Sequence, residues 1–168
     1  MRHRVAGVRL GRDTGHRRAL ARNLAAGFLR QFGEPREYVI TTVAKAKFVR
    51  PFVERLITLA RRGAAHAAAG TPDGKRLALH ARRHALRLLG GKEVIVRKLF
   101  AEIAPRYANR AGGYTRIVRY HKVRLGDAGA QAILEFVKDD DRALRGKRGK
   151  KRARAAVAPE AQATEASS

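Results

Sequence analysis

The chain has 168 residues and carries 38 Lys and Arg against 14 Asp and Glu, a formal net charge of +24 at pH 7, with no cysteine. That length supports one domain with extensions rather than two separate cores, and the missing cysteines exclude disulfides, thiolate metal sites and thiol nucleophiles. A body this positive repels itself, so a polyanionic partner, with nucleic acid the first candidate, is expected to complete it.

The charge recurs in every segment: residues 1 to 137 hold about +20 of it and the last 31 residues about +4. Of the basic residues 28 are Arg, whose planar fork grips phosphate bidentately and whose flat face stacks on bases. The core is thin, because 31 of the hydrophobic residues are Ala. No apolar run reaches the roughly 18 residues of a membrane span, and no hydrophobic signal region follows the arginine-rich start, so a cytoplasmic location is expected.

Met1 to Asp13 has four arginines, two glycines and no periodicity, and reads as an extended arm. Thr14 is placed to cap a helix on which Leu20, Leu24 and Phe28 form an i, i+4 stripe. His16, Arg17, Arg18 and Arg22 crowd its first turns, where cations oppose the helix dipole and a bound anion would relieve them. Gly33 to Pro35 breaks this helix, and Glu37 to Val43 is rich in β-branched and aromatic types, hence a short strand. A second helix is expected from about Ala44 to Arg62, with Phe48, Phe52, Leu56 and Leu59 on its apolar face and Gly63 at its end. Pro51 inside it should kink it or mark a late start. Ala64 to Gly74 reads as a flexible connection or insertion, and Lys75 to Leu89 as a third helix. A fourth, Lys92 to Ala104, ends at Pro105. Arg106 to Gly113 is then a basic loop, and Tyr114 to Val123 and Gln131 to Val137 form a hairpin around the Gly126 to Gly129 turn. From Lys138 onward periodicity ends, and the basic Arg145 to Arg154 run and the Ala, Glu and Ser-rich end are expected to be disordered.

Few parts for catalysis are present. Residues 1 to 137 contain nine acids and no Ser, which excludes acyl transfer through a serine nucleophile. Asp139 to Asp141 form the sole acidic cluster and flank the tail, unlike the carboxylates of a two-metal nuclease. His80 and His84 have metal-ligand spacing, but no Glu follows His80, and exposed or RNA-facing histidines fit better. Neither an enzyme nor a cofactor or metal site is expected. Recognition helices, zinc fingers and basic zippers concentrate their cations on one element, whereas here every connection is basic, which suits a folded RNA packed around the protein.

Several strings of residues carry a resemblance: Met1-Arg2-His3-Arg4, the Arg12 to Arg22 stretch, Thr41-Thr42 followed by Lys45-Ala46-Lys47, Leu56 to Ala60, Val96 to Phe100, Ile103 to Arg106 and, most specifically, Arg110-Ala-Gly-Gly-Tyr-Thr-Arg116. With Gly126-Asp127 and Glu135 they run in order through most of 1 to 137, and the chain resembles the bacterial large-subunit ribosomal protein family number seventeen. The resemblance implies an α+β fold with helices packed on a small sheet, bound to large-subunit ribosomal RNA and neighbouring large-subunit proteins near the peptide exit region, with no cofactor. The expected fold is about four helices on a roughly three-stranded mixed sheet, divided into an arm (1–13), a globular domain (14–137) and a tail (138–168). The chain departs from the family pattern at Phe32 to Glu37, at Ala64 to Leu77 and in its long tail.

The expected mechanism is a structural clamp. Arg2, His3, Arg4, Arg9 and Arg12 insert among RNA segments, while His16, Arg17, Arg18 and Arg22 bind phosphate at the helix start. Lys45, Lys47, Arg106, Arg110 and Arg116 form a second contact zone, where Tyr114 either stacks on a base or packs as a strand aromatic. The alternative from another class is a non-specific architectural DNA-binding protein.

Overall fold

A computed structural model describes residues 7–138; Arg2, His3, Arg4 and the tail expected from 138 onward fall, but for Lys138, outside the described residues. Helix α1 (Thr14–Arg30) is capped one residue earlier than the sequence suggests, by Asp13, whose carboxylate accepts from the His16 N–H at 3.0 Å. Its buried face is Ala21, Ala25, Phe28 and Leu29, rotated from the Leu20, Leu24 and Phe28 stripe because the alanines let the neighbouring elements come close. Strand β1 (Tyr38–Thr42) leads directly into α2 (Val43–Ala68).

Helix α2 corrects two expectations. Pro51 lies inside it on an exposed side, and the helix runs on both sides of it without a break. Gly63 is not its end. The residue is buried mid-helix, and a Cβ there would stand 2.8 Å from the Ala81 Cβ and 2.9 Å from Phe100 Cε1, so it is the close-approach point for α3. Beyond it Ala64 to Ala68 continue the helix, as alanine's high helical propensity favours, where the sequence had suggested a flexible link. After a short turn Thr71 caps α3 (Pro72–Leu89), accepting from the Gly74 N–H at 3.0 Å, with Pro72 at the first helical position. Gly90 ends α3 in the left-handed conformation (φ 68°).

Helix α4 (Glu93–Lys98) passes through a wide π turn (Leu99–Ile103), in which the Ala104 N–H reaches back to the Leu99 carbonyl, into α5 (Ala104–Arg106). The widened turn lets the chain stay helical through Pro105, which therefore does not stop it. The sheet is completed by β2 (Thr115–Val123) and β3 (Ala130–Phe136) in the order β1-β3-β2. Both pairings are antiparallel, so the sheet is not mixed: β3 returns from the hairpin and runs back along β1. Its register places Ile40, Ile133 and Val118 in one row on the face away from the helices. The opposite face carries Ala132, Leu134 and Phe136 into a core with Val53, Leu56, Ile57, Leu99 and Ile103. Phe28 stacks on Phe136 at a centroid distance of 4.1 Å and Phe32 meets the same ring edge-on at 5.1 Å, which ties α1 to the central strand.

One carboxylate joins α2 to the sheet. Glu54 Oε2 accepts from the Tyr114 N–H at 3.1 Å, and Oε1 accepts from the Thr115 N–H at 2.9 Å and its hydroxyl at 2.7 Å. These donors belong to residues that are 0% and 2% exposed, so without Glu54 they would be desolvated and unpaired. Replacement by Ala is expected to cost about 3 kcal/mol, and replacement by Gln less, because an amide keeps one acceptor. Chemical denaturation of the two variants checks this, and a Gln variant as unstable as the Ala variant contradicts it. Gly63→Ala is expected to destabilise by about 1 kcal/mol: overpacking of about 1–3 kcal/mol exceeds the roughly 1 kcal/mol of helix propensity gained. A raised melting temperature for that variant would contradict the close approach of α2 and α3.

Candidate nucleic-acid interface

The described part of the arm forms a turn before α1. Leu10 and Gly11 take positive φ (56° and 61°), and the Arg12 N–H donates to the Arg9 carbonyl at 3.1 Å. The half-buried Arg12 guanidinium hydrogen-bonds the His16 ring, and Arg17 donates to the Arg12 carbonyl at 3.2 Å and to Thr14 Oγ1 at 3.0 Å. Arg12, His16 and Arg17 thus fasten the arm to the first turn of α1. Arg9 and Arg18 are exposed. That first turn contains no acid beyond the capping Asp13, so the positive end of the helix and its cations add rather than cancel. Arg22 is placed differently: its Nε donates to the Leu88 carbonyl at 3.2 Å and so caps the carboxyl end of α3, where a cation is favoured.

The second expected zone divides in two. Lys45 and the exposed Lys47 sit in the first turns of α2, whose first turn also lacks an acid, beside an open apolar hollow lined by Val8, Thr42, Ala44 and Ala130. The arm is therefore brought to these lysines. Arg106, Arg110 and Arg116 lie at the other end of the sheet, since Arg106 pairs with Glu37 before β1 whereas Lys45 follows it, and a five-residue strand spans about 17 Å.

At that far end the cations serve the fold. Arg106 contacts both Glu37 oxygens at 2.8 and 3.0 Å and lies over the Phe32 ring at 4.9 Å. Arg116 pairs with Glu135 across the sheet at 3.2 Å. The half-buried Arg110 donates from Nε to the Gly112 carbonyl at 3.2 Å, and its own carbonyl accepts from Arg61 at 2.8 Å. Tyr114 is fully buried, packs on Tyr107 at 5.1 Å, and directs its hydroxyl to the Arg110 and Ala111 carbonyls at 3.3 and 3.4 Å. Of the two sequence readings for Tyr114, stacking on a base is corrected to a packed aromatic, because its ring has no exposed face.

Other cations were not singled out by the sequence. Arg119, Lys122 and Arg124 are exposed on and after β2, where a register shift between Arg119 and Val123 frees the strand from strict pairing and the Tyr120 and His121 rings meet at 4.7 Å. The signal available was the alternating Arg119 to Arg124 string itself. Lys92 donates to Asn23 Oδ1 and Lys98 to the Arg30 carbonyl, both at 2.9 Å, and both stitch α4 to α1. Among the described residues no group of three or more His, Asp or Glu could hold a metal ion, and no helix is long and apolar enough to cross a membrane.

A family model described as ribosomal protein L17 matches residues 20–137. Similar curated proteins are each named large ribosomal subunit protein bL17. That of Trichlorobacter lovleyi is 42% identical over 139 residues, covering 83% of this chain and 95% of its own. The Acidobacterium capsulatum protein is 44% identical over 137 residues, 82% of this chain and 72% of its own. The Mesorhizobium japonicum protein is 42% identical over 140 residues, 83% of each.

Burial lowers the His84 pKa from its ordinary 6.5, helped by the charges of Arg87, Arg55 and His80. A histidine whose folded pKa is lowered binds protons less readily when folded, so its contribution to stability is complete above about pH 6.5 and shrinks as pH falls through that value. Proton NMR titration of the free protein should give His84 a midpoint below 6.5, and Arg87→Gln should raise it. A midpoint at or above 6.5 in the unsubstituted protein contradicts the charge arrangement.

Proposed function

The chain belongs to the ribosomal protein L17 family, and from that premise we propose that it is a structural constituent of the large ribosomal subunit that binds and stabilises folded ribosomal RNA near the peptide exit region. Its partners in this reading are large-subunit ribosomal RNA and the neighbouring large-subunit proteins, and its place is the ribosome in the cytoplasm. The names borne by its relatives support the subunit. The observation that carries RNA binding is the acid-free first turn of α1, with Arg9 and Arg18 exposed beside it on a frame that Arg12, His16 and Arg17 hold in place.

A cation is useful to RNA only if the protein leaves it unneutralised. Around Arg9 to Arg18 the one acid, Asp13, is engaged by a backbone N–H, whereas Arg106 and Arg116 already face carboxylates. The arm and the start of α1, with Lys45 and Lys47 nearby, are therefore the primary phosphate-binding zone, and Arg106, Arg110 and Arg116 act mainly by holding the loop before β2. Such contacts position the protein on RNA without reading bases. The chemistry required is binding alone, with no catalytic step and no cofactor.

Sedimentation tests this reading. The native protein should travel with large ribosomal subunits through high salt; recovery with DNA alone would support the architectural DNA-binding alternative and overturn the proposal. Deleting residues 1 to 12 should weaken incorporation far more than deleting 145 to 168. Equal loss from both deletions would reject the assignment of the arm as the main contact.

A further inference from the structure

Helix α3 carries a second concentration of positive charge that the zone at the arm does not use. Arg76, His80, His84 and Arg87 recur about one turn apart along one side of it, spanning roughly 16 Å. The packing of Gly63 on Ala81 sets α2 antiparallel to α3, so Arg55, eight residues before Gly63, comes level with the last turn of α3. The His80 and His84 rings lie 6.1 Å apart. Arg55, Arg76, His80 and Arg87 are exposed and His84 half-exposed. Along α3 Asp73 is the one acid, and it sits at the opposite end from Arg87, 3.5 Å from Arg76. Among the described residues neither Arg55 nor Arg87 is paired with a carboxylate, so the end of α3 away from Asp73 favours an external anion.

We propose that Arg55, His80, His84 and Arg87, extended by Arg76, form a second phosphate-backbone site that takes one strand of a structured RNA along the outer side of α3. This rests on the RNA-binding reading above and adds a separate surface to it. A rigid line of guanidinium and imidazole donors spaced by helical turns suits a regular run of phosphates, and its side chains reach phosphate oxygens without reading bases. The lowered His84 pKa accords with this, since it reports burial and the unneutralised charges of Arg87, Arg55 and His80. Next to the stripe, Arg82 and Arg83 line a groove with Glu93 and Arg97 of α4, and Arg22 of α1 is bonded to the Leu88 carbonyl. A phosphate on the stripe would set an anion among the cationic neighbours of His84, raise its pKa, and so bind more tightly as pH falls.

The test is histidine side-chain NMR of the full chain between about pH 5 and 8, with and without a short RNA hairpin of arbitrary sequence. Saturation with RNA should raise the His84 midpoint, a reading that needs no variant. Independently, the R55Q/R87Q chain should show a slope of log affinity against log salt smaller by about two, because each lost phosphate contact lowers it by about one. If the intact chain binds no RNA, this proposal and the reading it rests on both fall. If it binds RNA but the His84 midpoint and the R55Q/R87Q salt slope stay unchanged, this proposal alone is overturned. Poly-glutamate raising the His84 midpoint as far as RNA does would assign the stripe to an acidic polypeptide and overturn it as well.

Discussion

The Glu54 carboxylate is the joint on which the arrangement depends. Helix α2 supplies the longest apolar face of the core, and the sheet must be fixed to it at the point where an irregular loop becomes β2. A buried loop end leaves backbone N–H groups that need acceptors, and Glu54 satisfies those of Tyr114 and Thr115 together. Once that end is held, Tyr114 packs on Tyr107 and the Tyr107 hydroxyl donates back to the Tyr114 carbonyl at 3.3 Å. Arg116 is then set opposite Glu135.

The scarcity of acids makes their placement informative. Glu37 sits under Arg106, Glu54 under the start of β2, Glu135 against Arg116, and Asp13 on the first turn of α1. Each is engaged where a fold would otherwise leave an unpaired donor or charge. Among the described residues, exposed cations with no carboxylate beside them include Arg9 and Arg18 near the start of α1, Lys47 at the start of α2, Arg55 and Arg87 beside the last turn of α3, and Arg119 and Lys122 in the hairpin. Charge compensation inside the domain thus separates basic residues that hold the fold together from exposed ones with no carboxylate beside them, a distinction that counting charge does not make.

Element types were legible because apolar periodicity and strand-forming residues are strong local signals: the pattern through Phe48, Phe52, Leu56 and Leu59 reappears in α2, whose buried face is turned toward Val49, Val53, Leu56 and Ala60, and the run from Glu37 to Val43 appears as strand Tyr38–Thr42. Punctuation misled. Gly63 resembles a helix terminus in sequence, and only the arrival of Ala81 and Phe100 from distant segments shows that its missing side chain makes room for packing. Pro105 resembles a stop, yet the π turn before it lets the helix continue. The cluster of cations at the start of α1 was legible because its residues are contiguous. The engagement of Arg106, Arg116 and Tyr114 was not, because their partners, Glu37, Glu135 and the Arg110 and Ala111 carbonyls, depend on the tertiary fold.

The central position of β3 has a consequence for the order of folding. Tyr38 in β1 faces Glu135 in β3, so β1 has no neighbour in its sheet until almost the whole domain has been synthesised. Phe28 and Phe32 likewise wait for Phe136. Helices can form locally as the chain emerges, but closing a loop of that length is slow and leaves a strand edge and two phenylalanine rings uncovered in the meantime. Completion of the sheet thus waits for the arrival of its last strand.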